Sequence, residues 1–158
     1  FDGDCLIVLR RSLLAVAPQE GCALLLGKQP HSFNSQQKIR WNIELIWPCC
    51  NIWEPGFYGL SESSTNKSFN ALQDVSKETR FALDPREQVH AQRWARKKNL
   101  EVLGTAHSHP SGEASPSSVD LQWTFSEGLM VIITGSGKVC GWWMRKDQPN
   151  QKLKVANL

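Results

Sequence analysis

The chain has no Cys-x-x-Cys pair, no long apolar run and no large excess of one charge. Its five cysteines, Cys5, Cys22, Cys49, Cys50 and Cys140, are odd in number and scattered, which excludes a disulfide framework. Buried free thiols in a reducing compartment are expected instead. No segment approaches the run of about eighteen apolar residues that a membrane span needs. The apolar stretch from Leu6 carries Arg10 and Arg11, so it does not read as a signal peptide. A soluble, cytoplasmic protein without a membrane partner is the expectation. The formal net charge is only +3, and basic residues concentrate only between Arg93 and Lys98. That balance argues against a nucleic-acid partner. The 158 residues suffice for one domain over 1–158, with a core that needs no structural metal.

Hydrophobic periodicity supplies the elements. Leu6, Leu9, Leu13 and Val16 form the stripe of an amphipathic helix, with Asp4 placed to cap it and Pro18 to stop it. Cys22 to Leu26 is a short apolar run bounded by Gly21 and Gly27, the pattern of a fully buried strand. A turn or strand over Gly27 to Gln37 would make it a hairpin. Ile39, Trp41, Ile43, Leu45 and Trp47 alternate with polar residues and predict a strand with one buried face, closed by Pro48. Residues 54–79 carry loop chemistry without a period, and a mobile insert is expected there. Asp84-Pro85-Arg86-Glu87 reads as an N-cap, a first-turn proline and a capping-box glutamate, opening a helix to about Lys98. Ala91, Trp94 and Ala95 share its inner face. Strands follow at 100–107, 129–134 and 138–145, with a helix from Ser117 to about Phe125. The layout predicts an α/β or α+β domain, a mixed sheet flanked by helices.

The chemistry concentrates in His107-Ser108-His109-Pro110 and Asp120. On a strand, residues i and i+2 point the same way, so His107 and His109 can reach one ion from one face. Pro110, Ser111 and Gly112 turn the chain. Ser115-Pro116 reads as the N-cap and first residue of a helix that brings Asp120 back. Two histidines and a carboxylate are the three protein ligands of a catalytic zinc site whose fourth position is open.

Hydrolysis also needs a proton acceptor and a donor for the oxyanion. Glu20, at the junction of the first helix and the buried strand, is the candidate general base. Glu101 shares the His107 strand and its inward face, but lies roughly 20 Å away at strand rise. Glu113 lies in the turn and is expected to be solvated. Ser117 is the candidate oxyanion donor, with support of the helix N-terminus as its plainer role.

His107-Ser108-His109-Pro110, six residues, Ser117, two residues and Asp120 match the H-x-H-P-x6-S-x2-D signature of the JAMM/MPN metallopeptidases. Glu20-Gly21-Cys22-Ala23-Leu24-Leu25-Leu26-Gly27 resembles the same family's upstream glutamate motif. Arg80 to Pro85 and Gly104 to His107 resemble its helix-strand lead-in. The resemblance implies an MPN fold, a central mixed sheet similar to that of the zinc deaminases. It implies one Zn2+ on His107, His109 and Asp120, with Glu20 as acid and base and Ser117 at the oxyanion. It also implies hydrolysis of a peptide or isopeptide bond. The stand-alone bacterial type that it resembles suggests a ubiquitin-like or sulfur-carrier protein with a Gly-Gly C-terminus as partner. Two other readings remain. One is a non-catalytic MPN scaffold, which would lack the ligands present here. The other is a RadC-like, DNA-linked protein, which shares the Pro110-Ser111-Gly112 turn. A zinc nucleobase deaminase is excluded, because Pro48-Cys49-Cys50 has the wrong spacing.

Overall fold

The computed structural model describes residues 1–28, 40–55, 76–122, 127–145 and 149–156. The expected insert at 54–79 and hairpin turn at 27–37 fall largely outside the described residues.

Among the described residues, three helices and six strands follow in the order α1 (Cys5–Leu14), β1 (Cys22–Lys28), β2 (Asn42–Cys49), α2 (Pro85–Lys97), β3 (Glu101–His109), α3 (Ser118–Gln122), β4 (Gly128–Thr134), β5 (Val139–Met144) and β6 (Gln151–Leu153). The strands form one sheet in the order β2-β1-β3-β4-β5-β6. Only β3 and β4 run parallel, and every other neighbour pair is antiparallel. This is the mixed, helix-flanked α+β sheet that the sequence predicts.

Each face of the sheet has its own core. On one side Leu9 and Leu13 of α1 pack against Ala23, Leu25, Ile43, Ile46, Ala106, Val131 and Ile133. On the other, Ala91 and Ala95 of α2 cover Cys22, Leu24 and Leu26. Further along that second face, Met130, Ile132, Cys140 and Met144 form a separate cluster with Ala114. His107 and His109 emerge on this face.

α1 ends at Leu14, earlier than the stripe suggests, and Val16 lies exposed beyond it. Asp4 occupies the N-cap position but makes no side-chain cap bond. In α2 the Asp84 carboxylate accepts from the Arg86 N–H, with Pro85 at the first helical position. Glu87 does not complete a capping box. Its carboxylate instead accepts from Trp47 Nε1 at 2.9 Å, tying α2 to β2. Asn99 takes φ of 54°, the left-handed conformation asparagine tolerates at a helix stop.

Two irregularities overturn the simple alternation. Leu26 pairs with Leu45 but Gly27 pairs with Ile43, so Glu44 is an extra residue in β2. The bulge exchanges faces. Ile43 and Ile46 face α1, whereas Leu45 and Trp47 face α2. The predicted single buried face is thus divided between two. Pro48 lies inside β2 rather than closing it, which an edge strand permits. A second register shift puts Leu103 between the partners of Leu25 and Leu26. Val102, and not Glu101, packs on the α2 side as a result, and Glu101 is exposed.

Candidate metal centre

β3 carries the two histidines at its C-terminal end, between β1 and β4. Cys22 pairs with His107 across β1–β3, so the start of β1 and the end of β3 lie side by side. This antiparallel pairing brings residue 20 beside residue 109. Ser108 ties the junction down from the opposite face. Its hydroxyl accepts from the Gly21 N–H at 2.8 Å and donates to the Leu13 carbonyl at 3.3 Å, while its own N–H donates to Gly21 O. Gly21 is required here, because a Cβ would collide with the Leu13 carbonyl.

The predicted residues converge. His107 Nε2 and His109 Nε2 are 2.9 Å apart. Asp120 places Oδ1 3.4 Å from His107 Nε2 and Oδ2 3.6 Å from His109 Nε2. Glu20 Oε1 stands 3.9 Å from His109 Nε2. His107 is 0% exposed and Glu20 6%. Among the described residues, one ligand atom each from His107, His109 and Asp120 all lie within 4.8 Å of one another.

The donor set fits a metal ion. His109 Nδ1 lies 2.7 Å from the Glu113 carbonyl, which as an acceptor fixes the proton on Nδ1 and leaves the Nε2 lone pair facing the cluster. His107 has no such support, since its buried Nδ1 lacks a hydrogen-bond partner among the described residues. Its ring is held instead by stacking on Phe81, centroid to centroid 4.4 Å at 22°. Two imidazole nitrogens and a carboxylate converge on one buried point, the donor set of a bound cation.

The electrostatics follow from burial and proximity. Burial pushes the Glu20 carboxyl up to about 7, opposed by His109 and assisted by the Asp120 charge. Burial also acts to raise Asp120, but bonds from His107, His109 and Ser117 outweigh it and hold the carboxyl well below the usual range. Desolvation lowers His107. In His109 desolvation is outweighed by Asp120, Glu113 and Glu20, and its pKa rises.

Ser117, rather than Ser115, is the N-cap of α3. Its hydroxyl accepts from the Asp120 N–H at 3.2 Å and its carbonyl accepts from the Leu121 N–H. In return Asp120 Oδ2 accepts from both the N–H and the hydroxyl of Ser117, each at 2.7 Å. This reciprocal cap aims the second carboxylate oxygen, Oδ1, at His107. Ser115-Pro116 precedes the helix without starting it. Glu113 is exposed and contributes its backbone carbonyl, not its carboxylate.

Beside the cluster opens a cleft of ≈ 720 Å³. Glu20, Ser117 and Asp120 stand on its wall with Trp53, Arg80 and Phe81, over a floor that includes Leu24 and Met130. Phe81, Ser108 and the loop around Asn51 carry no motif of their own.

An α+β sheet with a buried His-x-His strand, a capped carboxylate and a glutamate just ahead of the neighbouring strand defines a JAB/MPN-type domain. The family model for prokaryotic homologs of the JAB domain matches residues 4–146, and the chain belongs to that family. No curated protein matches it. Two solution structures share its fold. One, from Desulfitobacterium hafniense, is 22% identical with a TM-score of 0.73. The other, from Salinibacter ruber, is 23% identical with a TM-score of 0.60. Each alignment covers 99% of this chain and 90% of the other.

Proposed function

We infer that the protein is a zinc-dependent peptidase or isopeptidase. The observation that carries this reading is the buried cluster of His107, His109 and Asp120 with Glu20 Oε1 3.9 Å from His109, and with Glu20 and Asp120 on the wall of one cleft. A scaffold domain has no need to bury four titratable side chains against one another. His107, His109 and Asp120 would hold a zinc ion, which when bound supplies Lewis-acid polarisation of a water and of the scissile carbonyl. Glu20 accepts the proton of the attacking water and delivers it to the leaving nitrogen. Ser117 turns its hydroxyl from Asp120 toward the developing oxyanion. Asp120 Oδ2 then keeps the Ser117 N–H as its donor.

The substrate we propose is the C-terminus of a small ubiquitin-like or sulfur-carrier protein. An extended Gly-Gly tail presents no side chains and suits a cleft flanked by Trp53 and Phe81. A cytoplasmic setting and the absence of a nucleic-acid partner belong to the same proposal, supported by five unpaired thiols and near-balanced charge. No helix among the described residues is long and apolar enough to cross a membrane.

The test is zinc analysis together with cleavage of carrier proteins extended by one or more residues beyond Gly-Gly. Glu20→Gln should keep full zinc and lose about 10²- to 10⁴-fold in rate. His109→Ala should lose the metal. Full zinc retention in His109→Ala would sink the ligand assignment, and cleavage that survives Glu20→Gln would sink the mechanism.

A further inference from the structure

Asn51 lies just past the end of β2, outside the metal cluster and not itself on the cleft wall. Its side-chain amide nevertheless uses every hydrogen-bonding position on residues that are. Nδ2 donates to the Glu20 carbonyl at 3.0 Å and to the Arg80 carbonyl at 2.9 Å. Oδ1 accepts from the Trp53 N–H at 3.0 Å and the Ala82 N–H at 3.1 Å. Glu20, Arg80, Trp53 and Ala82 all line the cleft. Backbone pairing reinforces the same join, since Asn51 bridges to Leu83 and the Ile52 N–H donates to the Ala82 carbonyl at 3.1 Å.

These bonds have a specific consequence. Glu20 belongs to no helix or strand, and its backbone is held from three directions. Its N–H donates to Lys77 O at 2.7 Å, its carbonyl accepts from Asn51, and the following residue is clamped by Ser108 between the histidines. Of these holds, the Asn51 amide is the one that also binds the segment 80–82 of the cleft lining. The segment 80–82 that it grips carries Phe81, whose ring stacks on His107. One amide therefore sets the distance between the glutamate, the histidine ring and the residues that would flank a substrate.

The geometry points to Asn51 as a positioning residue for hydrolysis, acting through the backbone of Glu20 and of the segment carrying Phe81. The inference rests on the peptidase reading above. Misplacing a catalytic group by about 1 Å costs on the order of 10²-fold in rate, so the effect belongs in kcat rather than in metal binding or KM.

Two variants test it. Asn51→Ala removes all four bonds. Asn51→Asp keeps an acceptor for Trp53 and Ala82 but turns a carboxylate oxygen on the carbonyls of Glu20 and Arg80. Both are assayed on a carrier protein with one residue beyond Gly-Gly, with zinc content and amide exchange measured alongside. Both should retain zinc and hold KM within about twofold, while kcat falls about 10- to 100-fold. In Asn51→Asp the Glu20 and Gly21 amides should exchange faster while those of Trp53 and Ala82 stay protected. Unchanged kcat in either folded variant overturns the proposal, as does a loss explained by missing zinc. Exchange accelerated throughout the sheet, or failure of both variants to fold, would assign Asn51 a purely structural role and overturn it too. Should the wild type bind zinc yet cleave no carrier, the peptidase reading fails by itself. The exchange pattern then still decides whether Asn51 holds Glu20.

Discussion

Burial divides the five cysteines. Cys22 and Cys140 are buried, Cys5 and Cys49 are half-buried and Cys50 is exposed, so the expectation of buried thiols holds for only part of the set. Burial pushes the Cys22 thiol from its ordinary 9.0 up to about 12, and nearby Cys49 and Cys50 add to the rise. Between those values the folded chain keeps a proton that the unfolded chain has released. The Cys22 contribution to stability is therefore full below pH 9 and falls as pH rises toward about 12. In urea unfolding, the stability difference between wild type and Cys22→Ala should shrink across that window. At neutral pH a thiol reagent should modify Cys50 first, and Cys50→Ser should remove the fast phase. Fast modification of Cys22 in the native state would contradict the burial. At this scale the convergence of His107, His109 and Asp120 was legible because strand and helix geometry constrain such spacing. Glu20 was legible mainly through its resemblance to a motif. Asn51 and Ser108 were not, because they act on backbone groups distant in sequence, and a backbone partner leaves no residue-type signature.

Among the elements, the junction from α1 to β1 is tightly packed. The end of α1 lies so close to Gly21 that a Cβ there would meet the Leu13 carbonyl, backbone that cannot swing aside. Gly21→Ala should cost about 1–3 kcal/mol by overpacking, read from thermal or denaturant unfolding. Because Gly21 also donates to Ser108 and adjoins Glu20, activity should fall in the same variant even when it is fully folded. A neutral effect on both would show that the junction relaxes freely. The helices and strands themselves were largely readable from period and capping. Their faces were not. The bulges at Glu44 and Leu103 each insert one unpaired residue into a strand, and each exchanges the faces of the residues on its two sides. That is why Leu45 and Trp47 meet α2, and why Glu101 turns away from the histidine face. Ser115-Pro116 likewise satisfied the rule for a helix start, yet Ser117 won because its cap also binds the carboxylate of Asp120.

Across the whole molecule, the apolar clusters on the two faces do not depend on the metal cluster, so a chelator should not unfold the protein. Binding to the folded state alone adds about 2.7 kcal/mol at a hundredfold excess over Kd. For a domain of this size that corresponds to roughly 5–10 °C in melting temperature. Chelation should lower the melting temperature by that order and leave the far-UV circular dichroism intact. Collapse of the spectrum would mean that the ion supports the fold. By itself the sequence determined what is local: the buried run from Cys22, the Asp84 cap of α2, the His107–His109 strand and the acid that follows it. These rest on the period of side chains along one element and on capping chemistry within a few residues. Only the tertiary structure decided which strands are neighbours, which faces they turn and what stands opposite the histidines. Pairing β1 with β3 brings Glu20 to 3.9 Å from His109 across 89 positions of chain, and Asn51 then joins that glutamate to Arg80 on the same cleft. Such contacts depend on register and on burial against distant segments.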